Sequence, residues 1–179
     1  MASPYGNLQS KLERAICAYL VLKGCGTKKD IFPAESDRTR SFPNTTINTG
    51  IATPDVKFTG NYRIPVIISV KGSAALAPGA APGTPREAFD ARVALTGDML
   101  NQTENNQNLQ ATAVDVTSAG RALAGSSDPA ERLLNADMVD FTIQGWFEMG
   151  FGKGEAMEEG CNWEIVILFD AVCCGFNVD

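Results

Sequence analysis

The segments Phe141-Thr-Ile-Gln-Gly-Trp146 and Trp163-Glu-Ile-Val-Ile-Leu-Phe169 decide the fold. In the first, apolar and polar residues alternate, and the alternation extends over Asp137 to Met149, which is the period of a half-buried strand. The second continues to Cys173 and places large apolar residues at every second position. We predict that both segments are strands and that they pair as a long antiparallel hairpin.

The link between these strands, Gly150 to Gly160, is glycine-rich and long for a hairpin, so we predict a protruding loop. It begins with Gly150-Phe-Gly-Lys153-Gly154, which invites comparison with phosphate-binding loops that follow a strand. A P-loop needs Gly-Lys followed by Ser or Thr, and Gly154 stands at that position instead. The nucleotide interpretation is therefore weak, and no cofactor is predicted.

The N-terminal region predicts a helix from Asn7 to Lys23, because its apolar residues recur at steps of three and four. Asn7 is the predicted N-cap, and Gly24 supplies a stop signal at the other end. From Thr27 to Gly60 the chain is rich in Thr, Asn, Asp and Pro. This composition indicates a long, partly extended segment, with one strand around residues 44–52.

Four stretches follow in the middle of the chain. Residues Tyr62 to Lys71 are β-branched between two glycines and predict a strand. Residues 72–85 combine Gly, Ala and Pro without charge and predict a flexible loop. The pattern Thr84-Pro85-Arg86-Glu87 is typical of a capped helix start and predicts a helix from Pro85 to about Gln102. Residues 101–127 allow a short helix or a strand, and both alternatives stay open.

The elements predict a single α+β domain over residues 1–179, with an antiparallel sheet, a long C-terminal β-hairpin and helices packed on one face. Loops 72–85 and 150–160 are the predicted protrusions. The longest aliphatic-aromatic run, Ile165 to Phe169, is too short to span a bilayer, and the first residues carry no pattern of a secretory signal. We therefore expect a soluble protein of the cytosol, with no membrane partner.

Charge is distributed unevenly along the chain. The 15 basic and 21 acidic residues give a net charge of −6, which disfavours a sequence-specific DNA-binding protein. Residues 1–71 hold 10 basic and 5 acidic side chains (net +5), whereas residues 72–179 hold 5 and 16 (net −11). Complementary segments of this kind favour docking between copies of the chain. The alternative is that both segments share one fold and their charges mix on its surface.

The chemistry-bearing residues point away from catalysis. The chain has no histidine, so the usual base for a Ser, Thr or Cys nucleophile is missing. Its five cysteines are odd in number, and no two have the spacing of a zinc site. Carboxylate pairs such as Glu158 and Glu159 are most often solvated surface charge. We predict no catalytic residue and no metal ligand.

Trp146 allows two interpretations. It stands among the polar positions of its strand, where an exposed tryptophan indicates an interface with another molecule. Alternatively, it belongs to a second buried face of the sheet. The candidate interaction residues are therefore Trp146 and, in the loop over 150–160, Lys153, Glu155, Glu158 and Glu159.

The order of elements resembles the tail-terminator and related neck proteins of tailed bacteriophages, which are small α+β subunits. The resemblance covers nearly the whole chain. It lies in the helix Leu8 to Lys23, the strand Gly60-Asn-Tyr-Arg-Ile-Pro-Val-Ile-Ile-Ser-Val70, the helix start at Thr84-Pro85-Arg86-Glu87, and the closing strands Phe141 to Trp146 and Trp163 to Phe169. The family has no catalytic motif to match.

The resemblance implies a structural virion protein that is assembled in the host cytoplasm. It implies a hexameric ring that ends the tail tube and meets the connector or neck proteins, with DNA passing through the lumen without specific binding. An acidic lining by Glu155, Glu158 and Glu159 would suit such a channel, because like charges repel the phosphates. Two alternatives stay open: a capsid-associated or adaptor protein that forms no ring alone, and an enzyme that uses carboxylates.

Overall fold

The computed structural model describes residues 4–33, 42–55, 60–72, 106–154 and 163–174. These ranges hold three α-helices and six strands in an α+β arrangement, with the helices packed against a mixed, mostly antiparallel sheet. The helices are α1 (Pro4–Leu22), α2 (Asn106–Ala124) and α3 (Pro129–Leu134), and a 3-10 turn covers Ala136–Asp140. The strands are β1 (Ile31–Pro33), β2 (Asn44–Thr49), β3 (Thr53–Pro54), β4 (Tyr62–Gly72), β5 (Thr142–Lys153) and β6 (Trp163–Cys174).

The sheet has the order β1-β2-β4-β6-β5, and β3 pairs with β4 beside this path. Strands β4 and β6 are antiparallel along their length, from Tyr62 opposite Cys173 to Gly72 opposite Trp163. The predicted pairing of the two C-terminal strands is confirmed, since β5 runs antiparallel to β6. The prediction of a wholly antiparallel sheet is wrong at one edge, where β1 runs parallel to β2 and places Ile31 opposite Thr45.

Strand β5 differs from its prediction at both ends. It begins at Thr142 rather than Asp137, because the preceding residues form the 3-10 turn, which buries Met138 beneath it. It also continues to Lys153, so the first four residues of the predicted loop over 150–160 are strand and pair with Ile165 to Leu168. Residues 155–160 of that loop lie outside the described residues.

Helix α1 confirms the predicted N-terminal helix but starts earlier. It begins at Pro4, so Asn7 lies within the helix and not at its N-cap. The C-terminal stop is as predicted: Gly24 adopts φ 80°, a left-handed conformation that glycine tolerates best. The Gly24 amide donates to the Val21 carbonyl (3.1 Å), and the Cys25 amide donates to that of Leu20 (3.0 Å). This pair of bonds is a Schellman motif, and Leu20 and Cys25 are both buried beneath it.

Within the stretch over 101–127, residues 106–124 form helix α2, which decides between the two alternatives in favour of a helix. Its buried residues Ala113, Val116 and Ala119 recur at steps of three, which is a helical stripe. One buried hydroxyl ties this helix to the sheet. The Thr117 Oγ1 donates to the Ala113 carbonyl (2.7 Å) and accepts from the Ile143 amide of β5 (3.0 Å).

The core is one cluster that joins the helices to the sheet. Alternate residues of β4 and β6 point into it, as do the apolar stripes of α1 and α2. The members that are almost fully buried include Leu8, Leu12, Ile16, Leu20, Ile47, Ile64, Val66, Ile68, Val70, Val116, Met138 and Phe141. The predicted loop over 72–85 is wrong at its first residue, because Gly72 is the last residue of β4. Residues 73–85 of that loop and the predicted helix from Pro85 to about Gln102 lie outside the described residues.

The two long helices are in close contact at Gly120. A Cβ atom placed on Gly120 would lie 2.8 Å from the Ala15 Cβ and 2.9 Å from the Met138 Cε. The flexible end of the Met138 side chain can move aside. The Ala15 Cβ cannot, because it is bonded directly to the backbone of α1. The contact therefore requires that residue 120 have no side chain.

We expect Gly120→Ala to lower the free energy of unfolding by about 1–2 kcal/mol. Overpacking at this contact costs about 1–3 kcal/mol, which exceeds the gain of up to about 1 kcal/mol in helix propensity. Urea denaturation followed by circular dichroism measures the change. Gly125→Ala is the matched control, since its added Cβ meets only the Ala122 carbonyl at 3.7 Å. Equal stability of the two variants would contradict the prediction.

Candidate interaction surface

The structure describes two of the five predicted interaction residues, Trp146 and Lys153. Trp146 is only 3% exposed, and its ring meets that of Phe169 edge to face, with the centroids 4.7 Å apart. This supports the core alternative for Trp146 rather than the interface alternative. Lys153 is the last residue of β5. Glu155, Glu158 and Glu159 lie outside the described residues.

A groove of about 580 Å³ lies instead among α1, α2, α3 and β1. Its lining is mainly apolar and comes from segments that are far apart in the sequence. The apolar contributors are Cys17, Ala18, Val21, Leu22, Ile31, Phe32, Pro33, Ala119, Ala122, Leu123 and Leu134, and the polar ones are Arg14, Lys28, Ser126, Ser127, Glu131 and Asn135. A concave, largely apolar surface with a few polar groups is typical of binding sites.

Helix α3 forms an unusual wall of this groove. None of its six residues is buried, and Leu133 and Leu134 are 81% and 74% exposed. Leu22, at the end of α1, is 71% exposed and lines the same groove. A six-residue helix is too short to be stable through its own backbone bonds, and here it gains little from burial. Its position must therefore come from polar contacts.

The first set of polar contacts centres on Arg14. Its guanidinium donates to both carboxylate oxygens of Asp137, at 3.0 and 2.8 Å, and to the Asn135 Oδ1 at 2.8 Å. The same group reaches the Leu134 carbonyl at 3.3 Å. Asn135 is buried and donates from Nδ2 to the Glu131 carbonyl (2.8 Å), which closes the end of α3. Arg14 thus fixes the C-terminal end of α3 to α1.

The second set holds the other end of α3. Asp128 caps the helix by accepting from the Ala130 amide (2.9 Å), and Pro129 occupies the first turn. Glu131 forms an ion pair with Lys28 and accepts a hydrogen bond from the Ser126 hydroxyl. These hydrogen bonds, that of Lys28 foremost, hold the pKa of Glu131 below its usual value. The turn between α1 and β1 is thereby linked to α3.

These ion pairs bear on the charge asymmetry of the sequence. Arg14 pairs with Asp137, Lys28 with Glu131, and Arg63 of β4 with Asp170 of β6. Each pair joins the basic part of the chain, residues 1–71, to the acidic part, residues 72–179. Some of the opposite charge is therefore neutralised within one subunit. This agrees with the alternative that both segments share one fold and that their charges mix on its surface.

The reactivity of the groove thiol and the spacing of possible metal ligands can be read from the described residues. Cys17, which lines the groove, has a free thiol whose pKa is raised by burial, so it is a poor nucleophile. Within the described ranges, no three His, Cys, Asp or Glu side chains lie close enough to hold a metal ion. Among the helices of these same ranges, none is long and apolar enough to cross a membrane.

The groove was not predictable from periodicity, because its walls are brought together by contacts between distant segments. One signal was present in the sequence: Asp128-Pro129-Ala-Glu131 is typical of a helix start and is followed by Leu133 and Leu134. That pattern predicts a short capped helix that carries two adjacent leucines. Comparison with known proteins adds no assignment, since no family model and no curated protein matches the chain.

We expect Asp137→Asn to make the protein less stable at neutral pH and less sensitive to acid. Partial burial tends to raise the pKa of Asp137, but the hydrogen bonds and charge of Arg14 outweigh it and hold the pKa below the ordinary 3.8. The ionised carboxylate therefore stabilises the fold above about pH 4, and this contribution is lost as the pH falls through the native pKa. At pH 7 the substitution should cost about 1–2 kcal/mol.

Urea denaturation of wild type and variant between pH 2 and pH 7 measures this contribution. The difference in stability should shrink toward the acid end of the series, where the wild-type carboxyl is also protonated. Asp140→Asn is the control, because Asp140 is an exposed carboxylate in the same 3-10 turn. A difference between Asp137→Asn and wild type that does not change with pH would rule out the proposed ion-pair contribution.

Proposed function

We propose that the chain is a structural subunit of the neck of a tailed bacteriophage, a tail terminator or an adjacent ring, that caps the tail tube and joins tail to head. The proposal includes a subunit with its helices on one face of the sheet, closed into a hexameric ring. Its partners are copies of itself, the tail tube and the connector or neck proteins. The chemistry is association between surfaces, and no bond is made or broken.

The observation that carries this proposal is the exposed helix α3. Asp128, Arg14, Lys28 and Asn135 hold it in place, yet it directs Leu133 and Leu134 into solvent. Exposed apolar side chains beside an apolar groove favour a docking surface for another protein. The order of elements, with its closing β5–β6 pair, supports the phage-neck class through the resemblance.

Ring closure needs two different surfaces on each subunit that fit one another. The basic early part of the chain and the acidic later part supply complementary charge for such heterologous contacts. DNA passes through the lumen of the proposed ring without specific binding, in keeping with the net charge of −6. The proposed location is the virion, after assembly in the host cytoplasm.

A capsid-associated or adaptor protein without autonomous ring formation is the second candidate. The observation that favours it is the set of ion pairs within the subunit, Arg14 with Asp137, Lys28 with Glu131 and Arg63 with Asp170. These ion pairs occupy charged side chains that would otherwise be available for contacts between neighbouring subunits of a ring. Light scattering on the purified chain separates the two, because a closed ring supports the terminator and a monomer supports the adaptor.

Deleting the gene tests the neck assignment in the particle itself. We expect electron micrographs of lysates to show filled heads and unattached tails, because the joint between them is missing. Tails of irregular length would identify the terminator, and tails of normal length an adjacent neck ring. Supplying the wild-type chain from a plasmid is the control and should restore joined particles. Complete, infectious particles formed without the protein would refute the assignment.

A triple substitution tests whether the acidic loop lines a DNA channel. Replacing Glu155, Glu158 and Glu159 by lysine removes three negative charges and adds three positive ones, so the isolated rings should retain DNA at low salt. Filter binding at about 20 mM and 200 mM salt measures retention, and the added affinity should disappear at the higher salt. Replacement of the same residues by glutamine is the matched control. Unchanged retention by the lysine variant would remove these residues from the lumen.

A further inference from the structure

Residues 126–134, which comprise α3 and the turn before it, form a strap along one side of the groove. None of these residues is buried. The chain on both sides of the strap is anchored in the core, by Ala119 of α2 and by Met138 of the 3-10 turn, which are 5% and 0% exposed. The strap can therefore leave the groove without removing a side chain from the core.

Hydrogen bonds inside the strap link its residues to one another. The Ser126 hydroxyl donates to the Glu131 carboxylate, and Asp128 accepts from the Ala130 amide (2.9 Å). The Arg132 amide donates to the Asp128 carbonyl (2.9 Å). Because a helix of six residues is too short to persist once it is detached, these bonds should form and break together. A segment of this kind opens as one cooperative unit with its own free energy.

Two basic side chains from other parts of the subunit hold the strap against the groove, and we call their contacts the latch. Lys28 forms an ion pair with Glu131, and the lysine side chain is 68% exposed. Arg14 donates to the Leu134 carbonyl at 3.3 Å and to the Asn135 Oδ1 at 2.8 Å. Asn135 donates in turn to the Glu131 carbonyl at 2.8 Å. An exposed ion pair contributes little to stability and is screened by salt, so the latch is weak at Lys28.

We propose that the strap opens from the groove as one unit while the core stays folded, and that the latch of Arg14 and Lys28 opposes this opening. The open form exposes the groove walls on α1 and α2, among them the Cys17 thiol, which is only partly exposed in the closed form. Raised ionic strength favours the open form, because it weakens the Lys28–Glu131 ion pair. The strap thereby makes access to the groove sensitive to salt. This opening is a property of the isolated subunit and does not depend on the neck assignment.

Hydrogen exchange of single amides, followed by NMR on the full chain, measures the opening. The Arg132 and Asn135 amides report on the strap, since they donate to the Asp128 and Glu131 carbonyls. Their protection factors should agree to within about twofold and lie at least about a hundredfold below those of β4, because they share an opening that leaves the core intact. Strand β4 is the reference, since it is paired on both sides, with β2 and with β6.

Lys28→Gln removes one part of the latch. The protection of the two strap amides should fall about two- to fivefold, which is the effect of one exposed ion pair. Raising the salt from about 20 mM to about 500 mM should produce the same fall in the wild type and little change in the variant. Lys29→Gln is the matched control, because it alters the net charge equally and Lys29 is exposed in the same turn without lining the groove. Its strap protection should equal that of the wild type.

Arg14→Lys weakens the other part of the latch. A lysine lacks the planar fork with which Arg14 contacts Asp137 and the strap together. Strap protection should fall at least about tenfold, because charge-assisted hydrogen bonds are lost. The β4 amides of the same sample should stay more protected than those of the strap, which verifies that the domain is folded.

Alkylation of Cys17 tests whether the opening exposes the groove. A bulky maleimide needs more room than the partly exposed thiol offers, and mass spectrometry locates the modified cysteine. The rate at Cys17 should rise in Lys28→Gln by the same factor as the exchange of the strap amides, and should be unchanged in Lys29→Gln. Cys173 is the internal control, since it is 0% exposed and should react only when the whole domain unfolds.

Three results would overturn the proposed opening. Strap protection equal to that of β4 would show that the strap opens only with the whole domain. Equal strap protection in wild type, Lys28→Gln and Arg14→Lys would show that these two side chains form no latch. Cys17 reactivity that does not follow strap exchange would show that the groove stays covered. None of these results bears on the neck assignment, which the particle experiment decides.

Discussion

The close approach of α1 and α2 is the constraint on which the rest of the structure depends. Because Gly120 has no side chain, the backbone of α2 can lie against Ala15, and both helices reach the core at once. Their apolar stripes then cover the alternate residues of β4 and β6 that form the middle of the sheet. The same two helices continue as walls of the groove, through Val21 on α1 and Leu123 on α2. A wider separation would change the core and the groove together.

Polar contacts position the parts of the structure that are not held by apolar burial. Helix α3 contributes nothing to the core, so its position depends on Arg14, Lys28, Asp128 and Asn135. The Arg14–Asp137 pair has two hydrogen bonds and is partly shielded from water, which makes it stronger than a typical surface ion pair. Between α2 and the sheet, the Thr117 hydroxyl accepts a hydrogen bond from the Ile143 amide of β5. The contacts of Arg14 and Lys28 join segments that are more than 100 residues apart in the sequence.

The local sequence pattern was sufficient to predict those elements in which the spacing of apolar residues matches the buried face. Helix α1 and strands β4 and β6 carry strong patterns, bury the expected faces, and were predicted to within a few residues. The start of β5 was mispredicted because residues 137–140 continue the alternation of apolar and polar side chains that the strand shows. They form a 3-10 turn instead, in which Met138 is buried and Asp137 is bonded to Arg14. Local sequence cannot reveal a bond between residues 14 and 137.

The candidate surface was harder to predict than the fold for the same reason. The stretch over 101–127 became a helix through tertiary packing of small residues, and the parallel β1 is only three residues long. Trp146 was ambiguous because β5 has register shifts against β6, which break the alternation that sequence reasoning assumes. The groove needs the positions of α1, α2, α3 and β1 together, and no single segment encodes it.

The apolar residues that remain exposed differ in their surroundings. On the sheet, Phe147 and Leu168 are about half exposed, but Arg63 lies over the Phe147 ring at 5.4 Å and pairs with Asp170. A charged neighbour of this kind covers an aromatic face and makes it ordinary protein surface. The leucines of α3 are held out into solvent on a helix that buries nothing. Ordering a helix in that position has a free-energy cost that burial does not offset, so the polar contacts of Arg14, Lys28 and Asp128 must offset it.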